Sequence, residues 1–227
     1  MVMKSFKRAR SEEQRTERRR MILDTAAAML AEMPVAQVSL NELSRRVGLA
    51  KSNVLRYFES REAVLLELLD AALREWLEQL DEALTAAVDT SAAPSERSDQ
   101  LAATLAASLT ACPVLCDLIS TQAAVLEHNV SPQVAAQYKR AAIADVSVLA
   151  RLIRQHLHEL GEHDAQWLAV ATILVTSAVW THARPAAAML AAYEADPSLA
   201  SMRFDFTTTL REMLEVLITG LLARPLR

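Results

Sequence analysis

Seven side chains within the first 61 residues carry groups suited to a polyanion: Ser39, Lys51, Ser52, Asn53, Arg56, Tyr57 and Arg61. They offer hydroxyls, an amide, a phenol and three cations. Such groups bond phosphate oxygens, and an amide or a guanidinium also matches base edges in a DNA major groove. Asn53 suits adenine and Arg56 suits guanine, whereas Lys51, Tyr57 and Arg61 suit phosphate. Ser39 and Ser52 add hydroxyls that can reach the backbone.

The elements that must hold these groups are written into the stretch from Val38 to Glu62, VSLNELSRRVGLAKSNVLRYFESRE. Ser39 predicts an N-cap, and Glu42 three residues later completes a capping box. Leu40, Leu43 and Val47 recur at helical spacing, which turns Arg45 and Arg46 away from the apolar face. Gly48 can take the positive φ that ends a helix, and Leu49 packs the corner. The run from Lys51 to Tyr57 is too short and polar for a core helix. The segment therefore predicts a helix-turn-helix over residues 39–58, its second helix presented to DNA.

An ordinary surface hairpin would share that pattern, and charge separates the two. Residues 1–61 hold 13 cationic and 7 anionic side chains, about +6, whereas residues 62–227 hold 11 and 21, about −10. A basic head on an acidic body makes the overall pI near 5.8 misleading, because attraction to a polyanion is local.

Composition sets the class. A chain of 227 residues can bury a sizeable core. It is 52% hydrophobic and 23% charged with only 3 glycines, and 3.6-residue periodicity fills almost its whole length, so the fold should be all-α. There is no apolar run of spanning length and no signal-peptide pattern at the N-terminus. Two cysteines cannot make a disulfide framework. These features predict a cytoplasmic protein with no membrane partner.

Residues 1–15 form a basic N-terminal arm, irregular to about Ser11. A first helix follows to Met33, burying Ile22, Ala26, Met29 and Leu30 and ended by Pro34. Ser60 should cap a long helix over residues 61–88, with Val64, Leu65, Leu68, Leu69, Leu73, Trp76, Leu77 and Leu80 as its stripe. A loop is predicted at 90–98, then helices over 99–111, 113–127, 132–160, 164–183 and 204–222, with 184–202 as a break.

These residues resemble the tetracycline-repressor (TetR) family of bacterial transcriptional regulators. The likeness is carried by Ile22-Leu23-Asp24-Thr25-Ala26, Val38-Ser39-Leu40, Val47-Gly48-Leu49-Ala50-Lys51-Ser52, Tyr57-Phe58 and Arg61-Glu62-Ala63-Val64-Leu65. It implies a DNA-binding domain over 16–75 and a helical regulatory, ligand-binding and dimerisation domain over 76–227. Leu55 departs from the family's usual tyrosine, and Arg61 stands where a lysine is usual, keeping the charge.

Other chemistry has less support. Cys112 and Cys116, at i and i+4, read better as small buried hydrophobes than as a redox pair. His156, His158 and His163 lie near Glu159 and Glu162, but no ligand set is fixed by spacing, and a solvated helix end is the simpler reading. No catalytic constellation stands out, so neither an enzyme nor a cofactor is expected. The helix-turn-helix predicts a homodimeric, sequence-specific binder of double-stranded operator DNA. The resemblance implies a repressor released by a small-molecule effector, and composition favours an apolar or aromatic one. Its last two long helices are the candidates for the dimer interface. Trp76, Tyr138, Trp167 and Trp180 are expected mostly in the core. The rival reading is a sequence-nonspecific structural DNA-binding protein without a ligand.

Overall fold

The computed structural model describes residues 2–224, with side chains from Glu12 onward. Among the described residues there are ten α-helices and no strand, in agreement with the all-α expectation.

Helix α1 (Val2–Glu32) is longer than the sequence suggested, beginning well before Ser11. Residues 2–33 contain neither proline nor glycine, so nothing interrupts the hydrogen-bond ladder once it has formed. The basic side chains of the expected arm up to residue 11 lie outside the described ones. Pro34 stops α1, because its extended backbone (ψ 152°) and missing N–H cannot continue a helix. Ile22, Ala26 and Met29 are fully buried and Leu30 nearly so, which is the predicted stripe. The three larger side chains, Ile22, Met29 and Leu30, each contribute roughly 1.5–3 kcal/mol by leaving water.

Helix α2 (Leu40–Val47) and the four-residue α3 (Lys51–Val54) follow. Helix α4 (Arg61–Ala87) is capped by Ser60, whose Oγ accepts from the Ala63 N–H at 3.1 Å. Helix α5 (Pro94–Thr110) starts inside the predicted loop. Pro94 occupies its first turn, where the absent N–H costs nothing and φ is already helical. Helix α6 (Pro113–Thr121) runs into one π-helical turn at Gln122–Leu126. Helix α7 (Pro132–His156) ends four residues earlier than predicted. The buried Arg97 donates to the His156 carbonyl at 2.8 Å and pairs with Glu159, satisfying an orphan of that terminus. Helix α8 (Glu162–Ala183) precedes α9 (Ala187–Ala195) and a 3₁₀ turn (Pro197–Met202), both within the segment expected as a break. Asp205 caps α10 (Phe206–Leu222), accepting from the Thr208 N–H at 2.8 Å.

The chain divides into two compact units, Met1–Leu69 with Thr121–Tyr138, and Asp70–Ser120 with Lys139–Arg227. In the first, α1 packs on α2 and α2 on α3. In the second, α10 packs on α5 and α8, burying Leu210, Leu214 and Ile218 with Leu101, Leu105 and Leu109. The Trp180 and Phe206 rings meet edge to face at 4.9 Å.

As expected, most of the large aromatics are in the core: Trp76, Trp180 and, in the first unit, Tyr138 are buried, while Trp167 is 55% exposed. One expectation about the second unit needs correction. His156 is not at a solvated end: it is 7% exposed, because it shares the α7 face that buries Leu149 and Leu152. His158 and His163 are exposed. Among the described residues no group of three or more His, Cys, Asp or Glu could hold a metal. No single helix among them is long and apolar enough to cross a membrane. Cys116 is buried, its Sγ donates to the Leu109 carbonyl at 3.3 Å, and burial pushes its thiol up to about 12. Cys112 is half-buried and also pushed up, so neither thiol is poised as a nucleophile.

Candidate nucleic-acid interface

The turn between α2 and α3 is closed as the sequence predicts. Gly48 has φ 74° and ψ 27°, its N–H bonds the Arg45 carbonyl at 3.3 Å, and the Leu49 N–H reaches back to Ser44 at 3.1 Å. That pair of bonds is a Schellman ending, which requires the left-handed residue. At the other end Ser39 Oγ accepts from the Glu42 N–H at 3.2 Å. The expected capping box is only half realised. The Glu42 carboxylate is taken instead by Arg45 (2.9 and 2.6 Å) and Arg46 (2.9 Å), which hold it down to about 2. Arg46 also reaches Glu32 at 2.7 Å. Both α2 arginines are thereby engaged within the protein.

Helix α3 is one turn long. The turn continues through Leu55, Arg56 and Tyr57, whose N–H groups bond Lys51, Asn53 and Val54. Only Val54 and Phe58 of this stretch are buried, and they anchor it. Lys51, Ser52, Asn53 and Arg56 are exposed, and Tyr57 is half-buried. Among the described residues none of their side chains is bonded within the chain. The result is an anchored ridge with four unengaged polar side chains in six positions, which is what reading a groove requires.

Arg61 is placed differently. Its guanidinium donates to the Val35 carbonyl at 2.5 Å and pairs with Glu62 at 3.2 Å, with its side chain 20% exposed. It ties the start of α4 to the 3₁₀ turn after α1. Ser39 is exposed beside its cap.

The cluster Arg15, Arg18, Arg19 and Arg20 separates into two kinds. Arg19 lies 4.1 Å over the Phe58 ring, donates to the Tyr57 carbonyl at 2.7 Å and forms a two-point pair with Glu67. It brackets α1, the end of the α3 turn and α4, a role no local pattern signalled. Arg20 faces Asp24 at 3.6 Å. Arg15 and Arg18 line an open cleft with Arg56 and Tyr57.

Comparison with known proteins fits this geometry. Residues 70–225 match the family model described as tetracyclin repressor-like, C-terminal domain, and residues 22–68 match that of bacterial regulatory proteins, tetR family. The HTH-type transcriptional regulator EthR of Mycobacterium tuberculosis is 39% identical over 54 residues, 24% of this chain. The match spans a quarter of that relative's own length. The fatty acid degradation regulator FadR of Bacillus halodurans has the same fold, with TM-score 0.53 and 15% identity over 90% of this chain and 96% of that one. FadR of Bacillus subtilis, solved in complex with stearoyl-CoA, gives TM-score 0.53 and 14% identity over 88% and 97%. With its two family models adjoining across nearly the whole length and its helix-turn-helix formed, this chain belongs to the tetR family of bacterial transcriptional regulators.

Proposed function

We propose that the chain is a cytoplasmic, homodimeric repressor that binds a two-fold operator in double-stranded DNA and leaves it when a small effector binds. The observation that carries this reading is the exposed, unengaged ridge Lys51-Ser52-Asn53 on a helix pinned by Val54 and Phe58. Residues 16–75 serve as the DNA-binding domain and 76–227 as the regulatory domain. Asn53 reads a base, and Ser39, Lys51, Ser52, Arg56 and Tyr57 contact the duplex, while Arg61 holds the position of α4. One short helix reads only a few base pairs, so two protomers on a symmetric site are needed for a useful length.

The dimer face is the outer side of α8 and α10. Leu174 is 62%, Met213 46% and Val216 73% exposed, an apolar patch that water disfavours and a second copy would cover. The effector is apolar or aromatic with a small polar part. Thr176 Oγ1 and Trp180 Nε1, one turn apart on the buried side of α8, have no hydrogen-bond partner among the described residues. Buried polar atoms of that kind call for a partner, and an effector's polar group can supply it. The Bacillus subtilis neighbour was solved with stearoyl-CoA, which joins a long acyl chain to a large, highly charged nucleotide group, so only its acyl part resembles the effector proposed here. Release requires that the effector bind the DNA-incompetent state more tightly.

The test is selection of duplexes from a random pool by the full chain, followed by a thermal-shift screen of hydrophobic compounds. A two-fold consensus, released by compounds that also raise Tm, is the expected result. Retention of the pool without enrichment favours a sequence-nonspecific binder.

A further inference from the structure

Residues outside the helix-turn-helix complete a second feature of the first unit. An open cleft of about 750 Å³ lies between α1 and the turn after α3. Arg15 and Arg18 stand on its α1 side, Arg56 and Tyr57 on the other. Among the described residues none of the three arginines has a hydrogen bond or ion pair through its side chain, whereas Arg19, Arg20, Arg45, Arg46 and Arg61 all do. One carboxylate, Glu17, lines the same cleft, leaving it about +2 from three cations and one anion. Three guanidinium groups around one space repel each other, and an anion placed among them removes that repulsion.

We propose that this cleft holds one backbone phosphate of the bound duplex, with Arg15, Arg18 and Arg56 as its ligands and the Tyr57 hydroxyl as a further donor. The inference rests on the DNA-binding reading above and changes one role within it. Arg56 becomes a phosphate ligand instead of a reader of guanine, and base reading stays with Asn53. A base edge is planar and is read by one side chain in a bidentate contact. Donors arriving from two separate elements match the several oxygens of a phosphate better. Arg56 also lies two residues beyond the end of α3 at Val54, on the turn that faces α1. The cleft fixes the position of the helix along the groove, because a phosphate held between α1 and that turn cannot shift with either alone.

The experiment uses the full chain and a duplex it selects from a random pool, with affinity measured across a salt series for Arg15→Ala, Arg18→Ala, Arg56→Ala and the triple variant. Each single change should weaken binding about tenfold, evenly across base variants of the duplex. The slope of log affinity against log salt should fall by less than about one unit per bound protomer in each single variant, since two arginines still neutralise the phosphate. Because the three share one phosphate, the triple variant should lose about one unit, not three. Arg15→Lys and Arg18→Lys should keep most of the affinity. Wild-type affinity and slope in Arg15→Ala and Arg18→Ala, a slope loss near three units in the triple variant, or a change of base preference in Arg56→Ala each overturns the proposal. Failure of the underlying DNA reading shows differently, as a wild-type chain that retains no duplex at all.

Discussion

Arg19 and Glu67 face each other from α1 and α4, with Arg19 Nε 3.3 Å from one carboxylate oxygen and a second nitrogen on the other. The same guanidinium covers Phe58 at 4.1 Å and bonds the Tyr57 carbonyl at 2.7 Å. An isolated pair this exposed contributes little, but a two-point pair that also stacks and holds a backbone carbonyl acts as a network. It sets where the end of the α3 turn sits against α1, and so where Arg56 and Tyr57 stand.

Arg19→Ala should therefore cost about 1–2 kcal/mol of stability, seen as a lower urea midpoint, and should weaken DNA binding without contact to DNA. Arg19→Lys should recover little of the loss, since an ammonium cannot make the paired bonds or the flat stack. Equal midpoints for wild type and Arg19→Ala would remove the bracket from the argument.

On α3, Asn53→Ala should cost roughly 1–3 kcal/mol of binding and relax preference at one operator position. Lys51→Ala should act evenly over all sequences and lower the salt slope by about one unit per protomer. Fluorescence anisotropy with single-base operator variants separates the two patterns. Loss of preference in Lys51→Ala and not in Asn53→Ala would exchange their roles.

Val216→Glu and Leu174→Glu test the dimer face. Both side chains are exposed in the single chain, so the fold should survive with its helicity kept, while Tm falls by the stabilisation that the partner supplied. An unpaired charge enclosed between two copies costs several kcal/mol, so sedimentation should show monomer, and operator affinity should fall with it. Intact dimers in both variants would place the interface on another surface.

His156 gives stability a pH dependence. Burial disfavours its charged form and lowers its pKa, with the Asp81 carboxylate acting the opposite way. Once unfolded, the ring titrates near its ordinary value of about 6.5. Below that pH the unfolded chain binds a proton that the folded chain resists, so stability is full above it and declines as pH falls through it. Denaturant midpoints between pH 8 and 5 should drop more for wild type than for His156→Gln, which keeps a polar side chain and does not titrate. Parallel curves would show that other groups set the acid side.

Local chemistry made a large part of this protein legible before any tertiary contact was known. Ser39 caps because its hydroxyl lies within three residues of the N–H it accepts, and Gly48 ends α2 because only a residue at ease with positive φ closes that turn. Pro34 stops α1, and the α1 stripe is buried as its 3.6-residue spacing requires, as is that of α4 except for the half-buried Leu68. The order and spacing of such features from Ile22 to Leu65 also carried the family resemblance. What the sequence did not hold was the partner of each charge. Arg15, Arg18 and Arg19 are near neighbours of one type, yet Arg19 meets a carboxylate 48 positions away while the other two stay unengaged. Arg61 turns to a carbonyl 26 positions back, His156 goes inside and Trp167 outside. Capping, turn closure and helical periodicity act over a few residues and can be read in one dimension. The engagement of a long charged side chain, or which flank of a helix meets water, depends on elements distant in the chain, so only the tertiary structure decides it.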